Sequence, residues 1–134
     1  MLIDAENHVL GRLSTHVVQR LKDGDEVDIV NADKAIVKGN PDSIVEKYRQ
    51  KYELGDKDFG PRYPKAAEKI VRRTVQGMLP NGAEGREMLG NLKVYTGKPD
   101  RLDGETETVE DAREETLQGS NYMTMQEIAD NLGA

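Results

Sequence analysis

Short apolar runs alternate in this chain with segments whose apolar residues keep helical spacing, and that alternation limits the fold more than any other feature. Leu10, Leu13, Val17 and Leu21 recur at intervals of three and four, which puts them on one face of a helix. Leu2-Ile3 is short and apolar enough for an opening strand, with Asp4-Ala5-Glu6-Asn7 as the turn after it. Gly24, within Asp23-Gly24-Asp25, ends the helix. Val27-Asp28-Ile29-Val30 is the next strand and leads into Asn31-Ala32-Asp33. Ala35-Ile36-Val37 reads as a further short strand, closed by Gly39-Asn40.

The alternation continues. Asp42 or Ser43 caps a helix that runs to about Tyr52, with Ile44, Val45 and Tyr48 on one face. Residues 53–64, with Gly55, Gly60, Pro61 and Pro64, read as a loop. Pro64 suits the first turn of the next helix, where its missing N–H has no partner in any case. That helix is predicted to run to about Leu79, with Ala67, Ile70, Val71, Val75 and Met78 facing inward, and Pro80 stops it. Glu84 to Asn91 predicts a short helix and Leu92 to Tyr95 a strand. Near the end, Thr124 and Glu127 form a capping box for a helix with Met125, Ile128, Ala129 and Leu132 on its apolar face and Gly133 after it.

Short strands alternating with helices favour a small α/β sandwich. A chain of 134 residues has the length of one domain and can bury a core without staples. It has no Cys, so it has neither disulfides nor thiolate metal sites. No apolar run approaches the ~20 residues of a membrane span, and Met1-Leu2-Ile3-Asp4-Ala5-Glu6 lacks the character of a signal peptide. The expectation is a soluble, cytoplasmic protein. Its expected organisation is an α/β core over 1–97, an acidic exposed arm over 98–120, and a closing helix over 121–134 packed on the core.

The net charge of −6 argues against a polyanionic partner, but its distribution argues for one. Residues 1–46 carry a net −4, residues 47–98 a net +6, and residues 99–134 a net −8. Association follows the local field, so the middle segment is the candidate contact surface. Lys65, Lys69, Arg72 and Arg73 fall on one broad helical face, roughly opposite Ile70 and Val71. Arg62 precedes this face, and Arg86, Lys93 and Lys98 extend it. A contiguous cationic patch neutralises phosphates and releases counterions, which makes affinity salt-dependent. Most charge runs are merely solvated faces, but such faces usually mix signs, and residues 69–83 contain no acid. With one Phe and five Tyr, a stacking platform for single strands is not expected. Recognition should rest on the shape and backbone of a folded RNA.

Catalytic readings are weak. His8 and His16 are eight apart, not the i, i+4 of a helical metal pair, and a third ligand is not evident. Asp4, Asp28 and Asp33 are carboxylates in a chain so acidic that chance pairings are expected. No nucleophile elbow, phosphate-binding loop or dinucleotide fingerprint is present. The best enzyme-like feature is Leu10-Gly11-Arg12, a strand-to-helix turn whose amides can hold an anion, including one phosphate of an RNA backbone. Lys34 and Lys38 flank a short strand and are further phosphate candidates. Two alternatives to RNA binding therefore stand: a small α/β enzyme or phosphate-ligand binder using the Gly11-Arg12 turn, and an interaction module using the acidic arm. An enzyme needs a concave pocket with convergent polar groups, whereas an RNA clamp needs a convex basic face.

Residues 75–97, Val-Gln-Gly-Met-Leu-Pro-Asn-Gly-Ala-Glu-Gly-Arg-Glu-Met-Leu-Gly-Asn-Leu-Lys-Val-Tyr-Thr-Gly, are the most specific stretch. Their order resembles the signature of the universal large-subunit ribosomal protein family numbered thirteen. Ile3-Asp4-Ala5 with Leu10-Gly11-Arg12-Leu13-Ser14, and Val30-Asn31-Ala32-Asp33-Lys34 with Val37-Lys38-Gly39, resemble two further blocks of that family in the same order. Tyr63-Pro64-Lys65 is similar to its archaeal branch. The resemblance implies a single three-layer α/β/α domain with a small, mostly parallel central sheet. It also implies a structural, non-enzymatic part of the large subunit, without cofactor, metal or small-molecule substrate. Large-subunit rRNA and neighbouring ribosomal proteins would be its partners, with no membrane. The chain departs from the family at Gln76 and in Asn81-Gly82-Ala83-Glu84, where basic residues are usual, and each missing cation removes about one phosphate contact. An acidic member of a family expected to be basic is in turn expected to come from a salt-loving archaeon.

Overall fold

The computed structural model describes residues 1–57, 66–102, 104–107, 109 and 122–132, with the main chain alone over 52–57. In chain order the elements are β1 (Leu2–Asp4), α1 (Leu10–Lys22), β2 (Val27–Val30), a 3-10 turn (Ala32–Lys34), β3 (Ile36–Lys38) and α2 (Pro41–Lys57). They continue with α3 (Ala67–Met78), α4 (Ala83–Leu89), β4 (Leu92–Val94), β5 (Tyr122–Thr124) and α5 (Met125–Asn131).

The strands alternate, and the alternation decides which side of the sheet is covered. β1, β2 and β4 form a parallel sheet with β2 in the middle. Ile3 pairs with Ile29 and Ile29 with Val94, while Val27 pairs with Leu92, so these branched side chains share a face. Ile3, Val27, Ile29 and Leu92 on that face are buried. The intervening row, Leu2, Asp28 and Lys93, points to the other side and is half-buried to exposed. α1 and α3 pack on each other and cover the apolar face. From α1 come Leu10, Leu13, Val17, Val18 and Leu21; from α3 come Ala67, Ile70, Val71 and Val75. Each large aliphatic side chain buried in this way stabilises the fold by about 1.5–3 kcal/mol. The architecture is a single α/β domain with a small parallel sheet.

A second ladder ties the end of the chain to its first half. β3 pairs antiparallel with β5, with Val37 opposite Met123. The Met125 N–H donates to the Ala35 carbonyl at 2.8 Å. At the start of α5 the Glu127 N–H donates to Thr124 Oγ1 at 3.2 Å, and the Thr124 hydroxyl donates to the Glu127 carboxylate at 3.3 Å. Met125, Ile128, Ala129 and Leu132 are buried as their spacing predicts. α5 then lies against α3 and α2.

Four features differ from the sequence expectation. α2 continues through Gly55 to Lys57 rather than ending near Tyr52, because a glycine inside a helix costs only about 1 kcal/mol. Met78 has the right angle to face inward but sits on the last turn of α3, beyond the packed core, and is 41% exposed. The strand β5 lies where a helix alone is predicted. Finally, two points of the 98–120 stretch are attached to the core. The Glu107 N–H donates to the Leu2 carbonyl at 2.7 Å, and Val109 is buried. Val109 N–H also donates to His8 Nε2 at 3.1 Å, while His8 Nδ1 lies 2.9 Å from the Glu6 carbonyl, so the proton sits on Nδ1. Pro64 and residues 110–121 lie outside the described residues. Among the described residues no helix is long and apolar enough to cross a membrane.

Candidate nucleic-acid interface

α3 sorts its side chains into separate arcs. Ala67, Ile70, Val71 and Val75 face the core. Lys69, Arg73 and Gln76 stand at i, i+4 and i+7 and fall within about 60° of one another on the outward side. Lys69 and Gln76 are exposed and Arg73 is half-buried. Arg72 leans the other way. Its Nη1 donates to the Leu92 carbonyl at 2.6 Å and its Nη2 to the Leu89 carbonyl at 3.3 Å. Leu92 belongs to the edge strand β4, and its carbonyl points away from β2, so the guanidinium covers an open sheet edge and fastens α3 to the end of α4. The sequence groups Arg72 with Lys69 and Arg73 as one contact face; the structure gives Arg72 a job inside the fold.

The turn from α3 into α4 is set by three residue types. Leu79 is buried, Pro80 cannot extend the helix, and Gly82 adopts φ +92°, a conformation that L side chains rarely take. Gly85 comes so close to Pro80 that a Cβ would stand 1.8 Å from the Pro80 carbonyl oxygen. Only glycine allows that approach. The corner leaves a groove of about 270 Å³. Leu79, Pro80 and Leu89 supply apolar lining, Gln76 and Asn81 supply carboxamides, and Arg73 and Arg86 line it with positive charge. Arg86 is exposed and makes no ion pair or side-chain hydrogen bond with any described residue.

The other sequence candidates are dispersed. Lys93 stands beside Asp28 in the sheet register, on the face opposite Leu92. Lys98 is exposed just past the Thr96-Gly97 turn. Lys34 is exposed and lies 3.9 Å from the Glu6 carboxylate, and Lys38 is exposed at the end of β3. Arg12 is exposed on α1 and lines a second hollow of about 330 Å³ with Thr15, His16, Gln19 and Val109. Arg62 and Lys65 lie outside the described residues. Arg73 and Arg86 are thus the two cations brought into one groove, with Lys69 a turn away.

Of the three carboxylates singled out in the sequence, Asp28 stands in β2 and the other two serve loops. Asp4 accepts from the Glu6 N–H at 2.9 Å and from Asn31 Nδ2 at 3.1 Å, and Asp33 accepts from the Gly97 N–H at 3.1 Å. Asn31 itself takes a left-handed φ of 55°. Among the described residues no three His, Asp or Glu side chains gather as a metal site. Sequence reasoning missed the groove: it marks Gln76 and Asn81 only as places where a cation is lacking, and the need for Gly85 comes from a close approach that spacing does not reveal.

What the fold and this corner define is a small α/β domain that brings two arginines together at a helix corner. The chain belongs to the ribosomal protein L13 family, whose sequence profile matches residues 1–101. It is 41% identical over 135 residues to the large ribosomal subunit protein uL13 of Archaeoglobus fulgidus, covering 98% of this chain and 86% of that protein. The protein of the same name from Methanosarcina barkeri is 41% identical over 136 residues, covering 99% and 97% of the two chains. That from Natronomonas pharaonis is 39% identical over 135 residues, covering 100% and 91%. These relatives are archaeal, as Tyr63-Pro64-Lys65 suggests, and their similarity extends through the acidic C-terminal third.

Proposed function

We propose that this chain is a structural component of the large ribosomal subunit, where it holds rRNA through the outward arc of α3 and the α3–α4 corner. The observation that carries this reading is that Arg73 and Arg86, thirteen residues apart in sequence, line one groove. Lys69 continues the same arc. Guanidinium groups suit this work because they are planar, always charged and able to bond two phosphate oxygens at once. Membership of a ribosomal protein family makes the work binding and positioning rather than catalysis, and sets aside the enzyme reading of the Gly11-Arg12 turn. Its partners are then large-subunit rRNA and neighbouring proteins of the subunit, and its location is the cytoplasmic ribosome.

The test is binding of the purified chain to large-subunit rRNA across a range of salt, beside an Arg73→Ala/Arg86→Ala double variant whose fold is checked by circular dichroism. Each phosphate contact adds about 0.9 to the slope of log affinity against log salt. The double variant should bind more weakly and with a slope flatter by nearly two contacts. Equal affinity and slope would move the contact to Arg12, Lys34 and Lys38.

A further inference from the structure

We infer that the α3–α4 groove is a socket for one unstacked nucleotide of a folded RNA, its base inside and its phosphate beside Arg73 and Arg86. The inference rests on the rRNA reading and goes beyond it, because a backbone clamp needs cations alone. This corner offers more than cations. Its volume of about 270 Å³ lies just below the ~300 Å³ at which small-molecule sites begin. That is too little for a base pair and enough for a single base with part of its sugar. Leu79, Pro80 and Leu89 give the flat face of a base an apolar surface to lie against. The carboxamides of Gln76 and Asn81 each present a donor and an acceptor, which is what the edge of a base requires. Phosphate alone would use none of these. Sequence-specific contacts to RNA are made mostly to bases splayed out of loops and bulges, stacked on guanidinium planes among other surfaces.

The groove stays open for steric reasons. At Gly85 the wall cannot carry a side chain, because Pro80 occupies the place of the Cβ. At Gly77 a Cβ would meet nothing within 4 Å, so the cleft beside α3 is not filled by the chain itself. The same fact provides a test that leaves every charge in place. Gly77→Leu should fit without strain, since leucine is a better helix former than glycine by about 0.5–1 kcal/mol, while its side chain plugs the socket. Gly77→Met serves as a second plug of different shape.

Two measurements decide the matter, and the socket needs both. In the first, isotope-labelled full chain is titrated with AMP, GMP, CMP or UMP, and separately with ribose 5-phosphate and inorganic phosphate, following backbone amide resonances. At least one nucleotide should shift the Gly82 and Gly85 amides to saturation in the parent and not in the plugged variants. If ribose 5-phosphate or inorganic phosphate moves these amides equally, or no nucleotide moves them, the socket is wrong. In the second, the plugged variants should lose about tenfold or more in affinity for large-subunit rRNA, with an unchanged salt slope. If they bind rRNA like the parent while the Arg73→Ala/Arg86→Ala variant is weakened, the clamp stands and the socket falls. If all variants bind equally, both fall.

Discussion

Arg72 and Arg73 are neighbours in sequence and opposites in role. Arg72 satisfies two main-chain carbonyls at the junction of α4 and β4, whereas Arg73 looks into the corner groove. Hydrogen bonds from a charged donor contribute roughly 1.5–3 kcal/mol. Arg72→Ala should therefore lower unfolding stability by about 2 kcal/mol or more, read as a lower urea midpoint, while the salt slope of rRNA binding stays at its parent value. Arg72→Lys should recover only part of the loss, since a single ammonium cannot reach both carbonyls as a planar fork does. A flatter salt slope in Arg72→Ala, at unchanged stability, would return Arg72 to the contact surface. The sequence shows that three cations, Lys69, Arg72 and Arg73, lie near one another on α3. It does not show which of them the fold absorbs, because that depends on where the Leu89 and Leu92 carbonyls end up, about twenty residues downstream.

At the scale of elements, α2 shows how one buried residue sets a pH response. Ile44 and Tyr48 are the buried side chains of its first half, with Tyr48 5% exposed. Burial pushes the Tyr48 hydroxyl above its ordinary 10.0, because the phenolate is the form that loses hydration. A folded pKa above the unfolded one gives stability that is fully present below the unfolded value and is lost as pH rises through the folded value. Lys51 lies over the Tyr48 ring at 5.2 Å and is pushed below 10.5, first by desolvation and then by Lys47. Its effect has the opposite sign, since the folded state releases that proton more readily, but Lys51 is exposed and solvent screens it. Melting temperatures between about pH 8 and about pH 11 should fall for the parent and fall less for Tyr48→Phe; parallel curves would remove Tyr48 from the alkaline response. The helices with clear periodicity, α1 and α3, were legible in the sequence because each buries one continuous stripe. β5 was not, since Tyr122-Met123-Thr124 is too short to show a period and its partner, β3, lies more than eighty residues earlier. The α3–α4 groove stayed hidden for a similar reason: the Gly85–Pro80 approach follows from a turn, and local spacing cannot express it.

For the whole molecule, charge is the quantity that the sequence states and the fold rearranges. Residues 99–134 carry a net −8, and their closing helix α5, with exposed Glu127 and Asp130, packs directly on α3 and α2. Acidic and basic surfaces thus lie on adjoining elements of one small domain. At 0.01 M salt the Debye length is ~30 Å, so every surface acid contributes to the field at the groove. At 1 M it is ~3 Å, and only the immediate cations of the corner act on a phosphate. The surplus of acid also strains the folded state by self-repulsion, which salt relieves. Melting temperature should therefore rise between about 0.01 M and about 1 M KCl, and rRNA affinity should fall over that range less steeply than ~0.9 per contact, since screening of the acids offsets part of the counterion term. A chain adapted to concentrated salt requires both trends. Full stability at the low end, with an affinity that falls by the whole ~0.9 per contact, would instead mean that the −6 balance is incidental, and that the corner cations dominate the field at every ionic strength.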